Sequence, residues 1–169
     1  VAFFKRTPFG RKKRTQSTVP DGLWKKCDGC KQTVYQSDID ENMQVCPHCA
    51  HHYRIGARDR IAILVDTDSF EETHANITAG DPLQFTVGKE TYAERIGRAR
   101  EQSGLNEALV TGMGRIEGVR CAIGCMDSAF VMASMGSAVG EKFCRVIKDA
   151  IAQEVPLIMF AASGGARMQ

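Results

Sequence analysis

Four of the chain's seven cysteines fall in "CDGCKQTVYQSDIDENMQVCPHC", residues 27 to 49, as two C-x-x-C pairs separated by fifteen residues. Each C-x-x-C turn points two sulfurs at one ion, and tetrahedral Zn²⁺ accepts two such turns, so Cys27, Cys30, Cys46 and Cys49 are the expected ligands of a four-thiolate zinc site. Four thiolates fill the coordination shell and leave no position for water or substrate, which makes the expected metal structural rather than catalytic. Redox disulfides or buried free thiols are the competing reading of the same spacing. His48, His51 and His52 crowd the second pair; they are read as groups behind the ligands or on the surface, with replacement of a cysteine as the alternative. Lys25, Lys26 and Lys31 offset the formal double negative charge of a metal held by four thiolates. Gly29 and Pro47 suit the two tight turns, and Thr33–Tyr35 and Met43–Val45 read as two short strands joined by a polar loop, together a zinc ribbon. Cys121, Cys125 and Cys144 lie at apolar-face positions without ligand spacing and read as core.

A second stretch able to do chemistry is "PLIMFAASGGARMQ". A continuous apolar run of strand length ends at Gly164 and Gly165, where a helix is expected to begin, so unpaired backbone N–H groups can face a ligand and hold an oxyanion or a carbonyl oxygen. A purely structural strand-to-helix turn is the other reading. "MASMGSAVG", residues 132 to 140, likewise reads either as the lining of a thin apolar slot or as small residues that let a helix pack close to a sheet. No Ser/His/Asp or Cys/His set looks poised for nucleophilic catalysis. Gly112, Gly114 and Gly118 lack the G-x-G-x-x-G spacing and open no helix, so they read as strand and turn glycines rather than a nucleotide loop.

The elements that must position these residues follow from periodicity. Residues 57 to 65 suggest a connector helix, and "GKETYAERIGRAREQSG" a second amphipathic helix ended by Gly104. Residues 108 to 116 and 119 to 126 alternate around Glu117-Gly118 as a hairpin. "SAVGEKFCRVIKDAIAQE" is the clearest helix, with Val139, Phe143, Val146, Ile147, Ala150 and Ile151 as its apolar stripe and Glu141, Lys142, Arg145, Lys148 and Asp149 outside it. Strand, crossover helix and strand form a βαβ unit with a buried parallel pair, and the fold class is α/β.

Composition sets the outer bounds. With 169 residues, 43% hydrophobic and 25% charged, the chain suits either one full domain or one plus a small module. No apolar run approaches the roughly 20 residues of a bilayer span. The start shows no secretory pattern, so a thiol-reducing, intracellular compartment is expected. Residues 1 to 60 carry twelve Lys/Arg against six Asp/Glu, a net of +6, while residues 61 to 169 carry ten against fourteen, a net of −4. Lys5, Arg6, Arg11, Lys12, Lys13 and Arg14 make residues 1–22 a basic, disordered tail in this reading, with contact to nucleic acid or another acidic partner as the alternative. The chain begins on Val1 and stops at Gln169 inside an expected helix, which suggests a fragment.

"LWKKCDGC", "VCPHCAHHYRIGARDRI", "MDSAFVMASMGSAVGEKF" and "PLIMFAASGGARMQ" occur in this order, and together residues 23 to 169 resemble the β subunits of the carboxyltransferase of bacterial and plastid acetyl-CoA carboxylase. The resemblance implies a crotonase-like (ClpP/crotonase) superhelix of ββα units, incomplete here, over residues 57–169, preceded by a four-cysteine zinc ribbon over residues 23–56. It implies transfer of a carboxyl group from carboxybiotin, on a biotin carboxyl carrier protein, to acetyl-CoA, giving malonyl-CoA for fatty-acid synthesis, with ATP use left to the partner biotin carboxylase. It implies activity only with the α subunit, as an α2β2 heterotetramer, in the cytoplasm or the plastid stroma. The β-subunit glycine pair of the oxyanion hole would lie beyond Gln169. Gly164, Gly165 and Ala166 are therefore carried over as active-site lining through their backbone amides, and Met132, Ser134, Met135 and Gly136 as the substrate slot, with no catalytic side chain. Ala133 stands where the family's M-G-S-M-G segment has glycine, adding a methyl to that slot. A zinc-ribbon nucleic-acid-binding module is the alternative function. A crotonase-type hydratase or hydrolase would need a poised carboxylate, and Glu154 reads as a surface residue.

Overall fold

The computed structural model describes residues 22–169, so the basic tail read over residues 1–22 lies outside the described residues apart from Gly22, which is exposed. Contacts divide the chain between Tyr53 and Arg54. In the first unit, β1 (Trp24–Lys26) pairs antiparallel with β2 (Thr33–Tyr35), Lys25 opposite Val34, and the turn between them carries Cys27 and Cys30. The expected strand at Met43–Val45 is not formed. Met43 and Gln44 take left-handed φ values of 53° and 63°, which extended backbone excludes, and Val45 makes only an isolated antiparallel bridge to His52. The polar stretch read as a loop is instead a short helix, α1 (Gln36–Glu41), anchored by the fully buried Ile39.

In the second unit, the hairpin of β6 (Leu109–Ile116) and β7 (Val119–Met126) forms where its alternation predicts, with Glu117 and Gly118 at φ 49° and 78° as a left-handed turn residue pair. A short strand, β3 (Glu71–Thr73), lines up antiparallel on β6, and β8 (Leu157–Phe160) lies parallel to β7, Ala122 opposite Leu157 through Cys125 opposite Phe160. The sheet order is β3-β6-β7-β8. The parallel pair is joined by the long helix α4 (Ser137–Ala152), which is the predicted βαβ unit. Residues 109 to 114 of β6 and 121 to 126 of β7 are buried throughout, as strands covered on both faces must be. Leu109, Ile123 and Phe130 are fully buried, each worth about 1.5–3 kcal/mol of transfer free energy.

Two helices flank this core. The connector α2 (Ala57–Leu64) starts where the Ala57 N–H donates to Asp127 Oδ2 at 2.7 Å, so the acid at the end of β7 caps the helix against its own dipole. A minor β-ribbon of β4 (Thr86–Val87) and β5 (Glu90–Thr91) leads into α3 (Tyr92–Ser103), which ends at Gly104 in the left-handed conformation, φ 67°. Among the described residues no helix is long and apolar enough to cross a membrane.

Three expectations change. The α4 stripe is rotated: Ala138, Val139, Lys142, Val146 and Ala150 are buried, whereas Ile147 and Ile151 are 41% and 71% exposed. Periodicity locates a stripe but not its edges, and Lys142 sits inside because its four-carbon stem suits an apolar seam. Cys144 is exposed, on the helix face away from Val146; Cys121 and Cys125 are core residues as read. Residues 161–169 form no helix: after β8 they make one isolated parallel bridge, Ala166 to Met135, with Gly165 at a left-handed φ of 99°. Among the described residues no helix follows the glycine turn.

Candidate functional site

The two C-x-x-C turns are built alike. Cys27 N–H donates to Gln32 O at 2.8 Å and Lys31 N–H to Cys27 O at 2.9 Å; Cys46 N–H donates to His51 O at 2.8 Å and Ala50 N–H to Cys46 O at 2.9 Å. Lys31 and Ala50, each four residues after a cysteine, both take left-handed φ, 62° and 56°. These turns bring Cys27 Sγ to 3.7 Å from Cys49 Sγ and Cys30 Sγ to 4.0 Å from Cys46 Sγ, and all four sulfurs lie within 4.8 Å of one another. A tetrahedron of metal–sulfur bonds of about 2.3 Å has edges of about 3.8 Å, so the residues fit a zinc ion held by four thiolates. None of the four is in a disulfide. Of the histidines, His48 and His52 are exposed, and His51 stacks edge-on against Tyr53 with ring centroids 5.2 Å apart.

Electrostatics separate the sulfurs. The Tyr53 hydroxyl beside Cys27, opposed by burial and helped by the backbone amides of Cys30 and Gly29, brings the Cys27 thiol down to about 6. The His51 backbone amide favours the Cys49 thiolate, but burial and the other three cysteines outweigh it and push Cys49 up to about 11. Tyr53 is in turn raised well above its ordinary value, chiefly by Cys27. Its hydroxyl is buried and, among the described residues, meets no partner within ordinary hydrogen-bond limits, so its influence on Cys27 is that of a close dipole rather than a formed bond.

The second candidate site is assembled from two segments far apart in sequence. Val131, Met132 and Ala133 form a single left-handed turn, with φ 44°, 54° and 54°, a conformation that costs an L-residue on the order of 1 kcal/mol each. Its Met132 carbonyl presses on the glycine turn: a Cβ on Gly164 would lie 2.5 Å from Met132 O, so only glycine fits there. Met135 N–H donates to Gly165 O and Arg167 N–H to Met135 O, both at 2.9 Å, which seats the two segments side by side. Met132 and Gly164 line a common groove of about 290 Å³ with Arg54, Ser128, Ala162 and Ser163. The structure thus brings Met132, Ser134, Met135 and Gly136 against Gly164, Gly165 and Ala166. The Gly165 N–H is engaged by Ser163 Oγ at 3.0 Å, whereas among the described residues those of Gly164 and Ala166 donate no hydrogen bond. The Ala133 methyl is fully buried in the core cluster and does not enter the groove.

Behind these segments lies a buried ion pair. Arg167 donates from Nη2 to Glu107 Oε1 at 2.7 Å and from Nη1 to Glu107 Oε2 at 3.2 Å, with the two side chains 2% and 0% exposed. The same guanidinium reaches Ser134 Oγ, Ser134 O and Tyr92 Oη at 3.0, 2.7 and 3.1 Å. Burial works against the Arg167 charge, but Glu107 and Tyr92 more than restore it, and the net shift is upward. Lys142, also buried, is pushed down by desolvation and partly held up by the carboxylates of Glu72 and Glu107.

Residues 52–169 match the description "Carboxyl transferase domain", and residues 24–49 match "Acetyl-CoA carboxylase zinc finger domain". The chain belongs to the carboxyl transferase domain family. It is 46% identical over 154 residues to the acetyl-coenzyme A carboxylase carboxyl transferase subunit beta of Carboxydothermus hydrogenoformans, covering 91% of this chain and 54% of that protein. It is 46% identical over 157 residues to the subunits beta/alpha protein of Natranaerobius thermophilus, covering 93% of this chain and 25% of that protein. The chain thus spans about half the length of the beta-subunit relatives it matches. Among solved structures it resembles transcarboxylase 12S with methylmalonyl-coenzyme A and methylmalonic acid bound, at TM-score 0.55 and 26% identity over 69% of this chain and 20% of that one. The fold is accordingly the expected crotonase-like α/β arrangement, present in part, with the four-cysteine ribbon ahead of it.

Within this carboxyl transferase domain, reading the sequence missed Arg167, Glu107 and Lys142. The only trace of the pair is an acid immediately before the apolar start of β6 and an arginine directly after the glycine turn. Neither periodicity nor spacing connects two residues sixty positions apart.

Proposed function

We infer that the chain is part of the β subunit of an acetyl-CoA carboxylase carboxyltransferase, working with an α subunit and a biotin carboxyl carrier protein. What carries this reading is the succession, in one chain, of a zinc ribbon and a carboxyl transferase domain, at 46% identity to proteins named as that subunit. The net reaction moves the carboxyl group from the ureido nitrogen of carboxybiotin to the methyl carbon of acetyl-CoA, and the methyl proton ends on biotin. An enolate oxygen and the biotin ureido oxygen carry the developing charge, and backbone amides suffice to hold them. In this chain Gly164 lines the groove shared with Met132, and its N–H, which donates no hydrogen bond among the described residues, is available to bind a carbonyl or an anionic oxygen, with that of Ala166 two positions on. The exposed Met132 and Met135 supply apolar cover that excludes water from the reacting atoms. Zinc, held by Cys27, Cys30, Cys46 and Cys49, would supply structural cross-linking and no open coordination position. A thiolate centre of this kind suits a reducing compartment, cytoplasm or plastid stroma.

The test is reconstitution of the complete β subunit with its α subunit. Malonyl-CoA-dependent carboxylation of free biotin, and about one zinc per β chain by elemental analysis, are the expected results. A complete subunit that neither binds the α subunit nor turns over malonyl-CoA would remove this reading. The exposed Lys25, Lys26 and Lys31 around the ribbon support a nucleic-acid contact as a second activity. A salt titration of RNA binding by the whole protein decides it, since phosphate contacts weaken steeply with salt.

A further inference from the structure

We propose that Arg167 is a positioning residue that sets the two walls of the carboxyl-transfer groove against each other, using Glu107 as its fixed anchor. The proposal rests on the carboxyltransferase reading above and on four features of the geometry. The guanidinium is held in both directions by Glu107, a bidentate pair that fixes its plane as well as its place. From that fixed plane it donates to the Ser134 hydroxyl and to the Ser134 carbonyl, so it grips the main chain of the first wall. Its own backbone belongs to the second wall, where Arg167 N–H donates to Met135 O and Met135 N–H to Gly165 O. Gly136 leaves the necessary room: a Cβ there would stand 3.0 Å from Nη1.

One side chain therefore ties the anchor, the first wall and the second wall together. The strained turn at Val131–Ala133 explains why such a tie is required. Three successive left-handed residues relax unless the chain on either side is held, and Phe130 before them is buried in the core with Arg167 over its ring at 5.6 Å. Release of the Ser134 carbonyl would let the turn open, withdraw Met132 O from Gly164, and swing the Gly164 and Ala166 N–H groups off their present directions. Lysine cannot replace arginine here, because a single ammonium cannot hold both Glu107 oxygens and also reach two oxygens of Ser134.

The experiment uses the complete β subunit with its α subunit. Arg167→Lys and Arg167→Met are assayed for kcat and for the KM of malonyl-CoA, and the β subunit is examined by amide hydrogen exchange. Misplaced groups in a transfer site cost on the order of 100-fold in rate, so both variants are expected to lose about 10- to 100-fold in kcat, with KM changed less than about threefold. Faster exchange is expected at the Met135 and Arg167 amides. Wild-type kcat in Arg167→Met, or unchanged exchange at those two amides, overturns the proposal. So does a loss confined to thermal stability with kcat per folded enzyme intact, which is what a merely structural role gives. If Arg167→Met does not fold, Glu107→Gln and Ser134→Ala weaken the same tie from either side and carry the same expectations. If the wild-type assembly lacks carboxyltransferase activity, the functional reading fails, while the exchange measurement still decides whether Arg167 fixes the walls.

Discussion

In the ribbon the buried apolar set is Cys27, Val34, Ile39 and Cys46, and two of these four are candidate metal ligands; in residues 54–169 one continuous cluster runs from Ala57 on α2 through β6 and β7 to Val139 on α4. The ribbon's strands are three residues long, whereas the hairpin's are eight. So small an apolar set cannot offset the conformational entropy of ordering some thirty residues, at about 1–2 kcal/mol per backbone residue, and the sulfurs have to do it through an ion. The sheet unit has enough core to spend part of its stability on polarity, and it encloses an ion pair and a lysine. The contrast teaches where each unit is vulnerable: the ribbon at its metal, the sheet unit at its buried charges.

Metal removal should break the comparison most visibly. Structural zinc contributes on the order of 10 kcal/mol to a module of this size. Chelation, or Cys27→Ser, is expected to abolish exchange protection at the turn amides of Lys31 and Ala50 while β6 and β7 stay protected. Ribbon amides that remain protected after chelation would show that its apolar residues hold it without the ion.

A smaller effect is expected at the ion pair. Arg167→Met alone leaves Glu107 buried with only Lys142 and the Ala108 N–H to offset its charge, at a cost of up to about 3–5 kcal/mol in urea unfolding, and Glu107→Leu strips the buried Arg167 of its carboxylate partner with a similar loss. The double variant removes both charges and should recover most of the loss, giving a coupling between the sites of a few kcal/mol. Additive losses would mean that the two charges do not depend on each other. Lys142 sharpens the point. Burial lowers its folded pKa below the ordinary 10.5, so the unfolded chain binds more protons over that interval. Stability should therefore rise as pH climbs from the lowered folded value towards 10.5, and Lys142→Met should flatten that slope.

How far the sequence disclosed all this depended on whether the governing interaction was local. The convergence of the four sulfurs was legible because spacing alone determines whether two C-x-x-C turns can meet. The hairpin was legible from alternation around Glu117-Gly118, and the end of α3 from Gly104, since a left-handed residue is a signal contained in one or two positions. Helix α1 was not, because its six residues carry a single apolar anchor, Ile39, too few for a period. The non-helical course of residues 161–169 was hidden for the opposite reason: its form comes from pairing with Met135, thirty-one positions earlier than Ala166. The candidate groove was half legible. Its two segments stood out by their glycines and methionines, but their juxtaposition, and the Arg167–Glu107 tie that holds it, exist only in three dimensions.

The smallest expected effect lies at the start of α3, where the sheet unit uses a purely local device. Thr91 Oγ1 accepts from the Glu94 N–H at 3.2 Å, and Glu94 Oε2 accepts from the Thr91 N–H at 2.9 Å, a reciprocal capping box. The Thr91 backbone amide, then the Thr91 hydroxyl, hold the Glu94 carboxyl below its ordinary 4.5. A lowered folded pKa means that the box contributes its full stability above pH 4.5 and loses it as pH falls through the folded value. Thr91→Ala is expected to cost about 1 kcal/mol at neutral pH by urea unfolding, and Thr91→Ser much less. The difference between wild type and Thr91→Ala should shrink as pH falls through that folded value, because the Thr91 hydroxyl also donates to Glu94 Oε2 at 2.9 Å and that bond weakens once Glu94 is protonated, whereas the backbone N–H of residue 91 is present in both. A gap independent of pH would place the hydroxyl's contribution in its acceptance from the Glu94 N–H alone. α3 would then be held chiefly by Tyr92, Ile96 and Ala99 packing into the core, the same non-local means that the ribbon lacks.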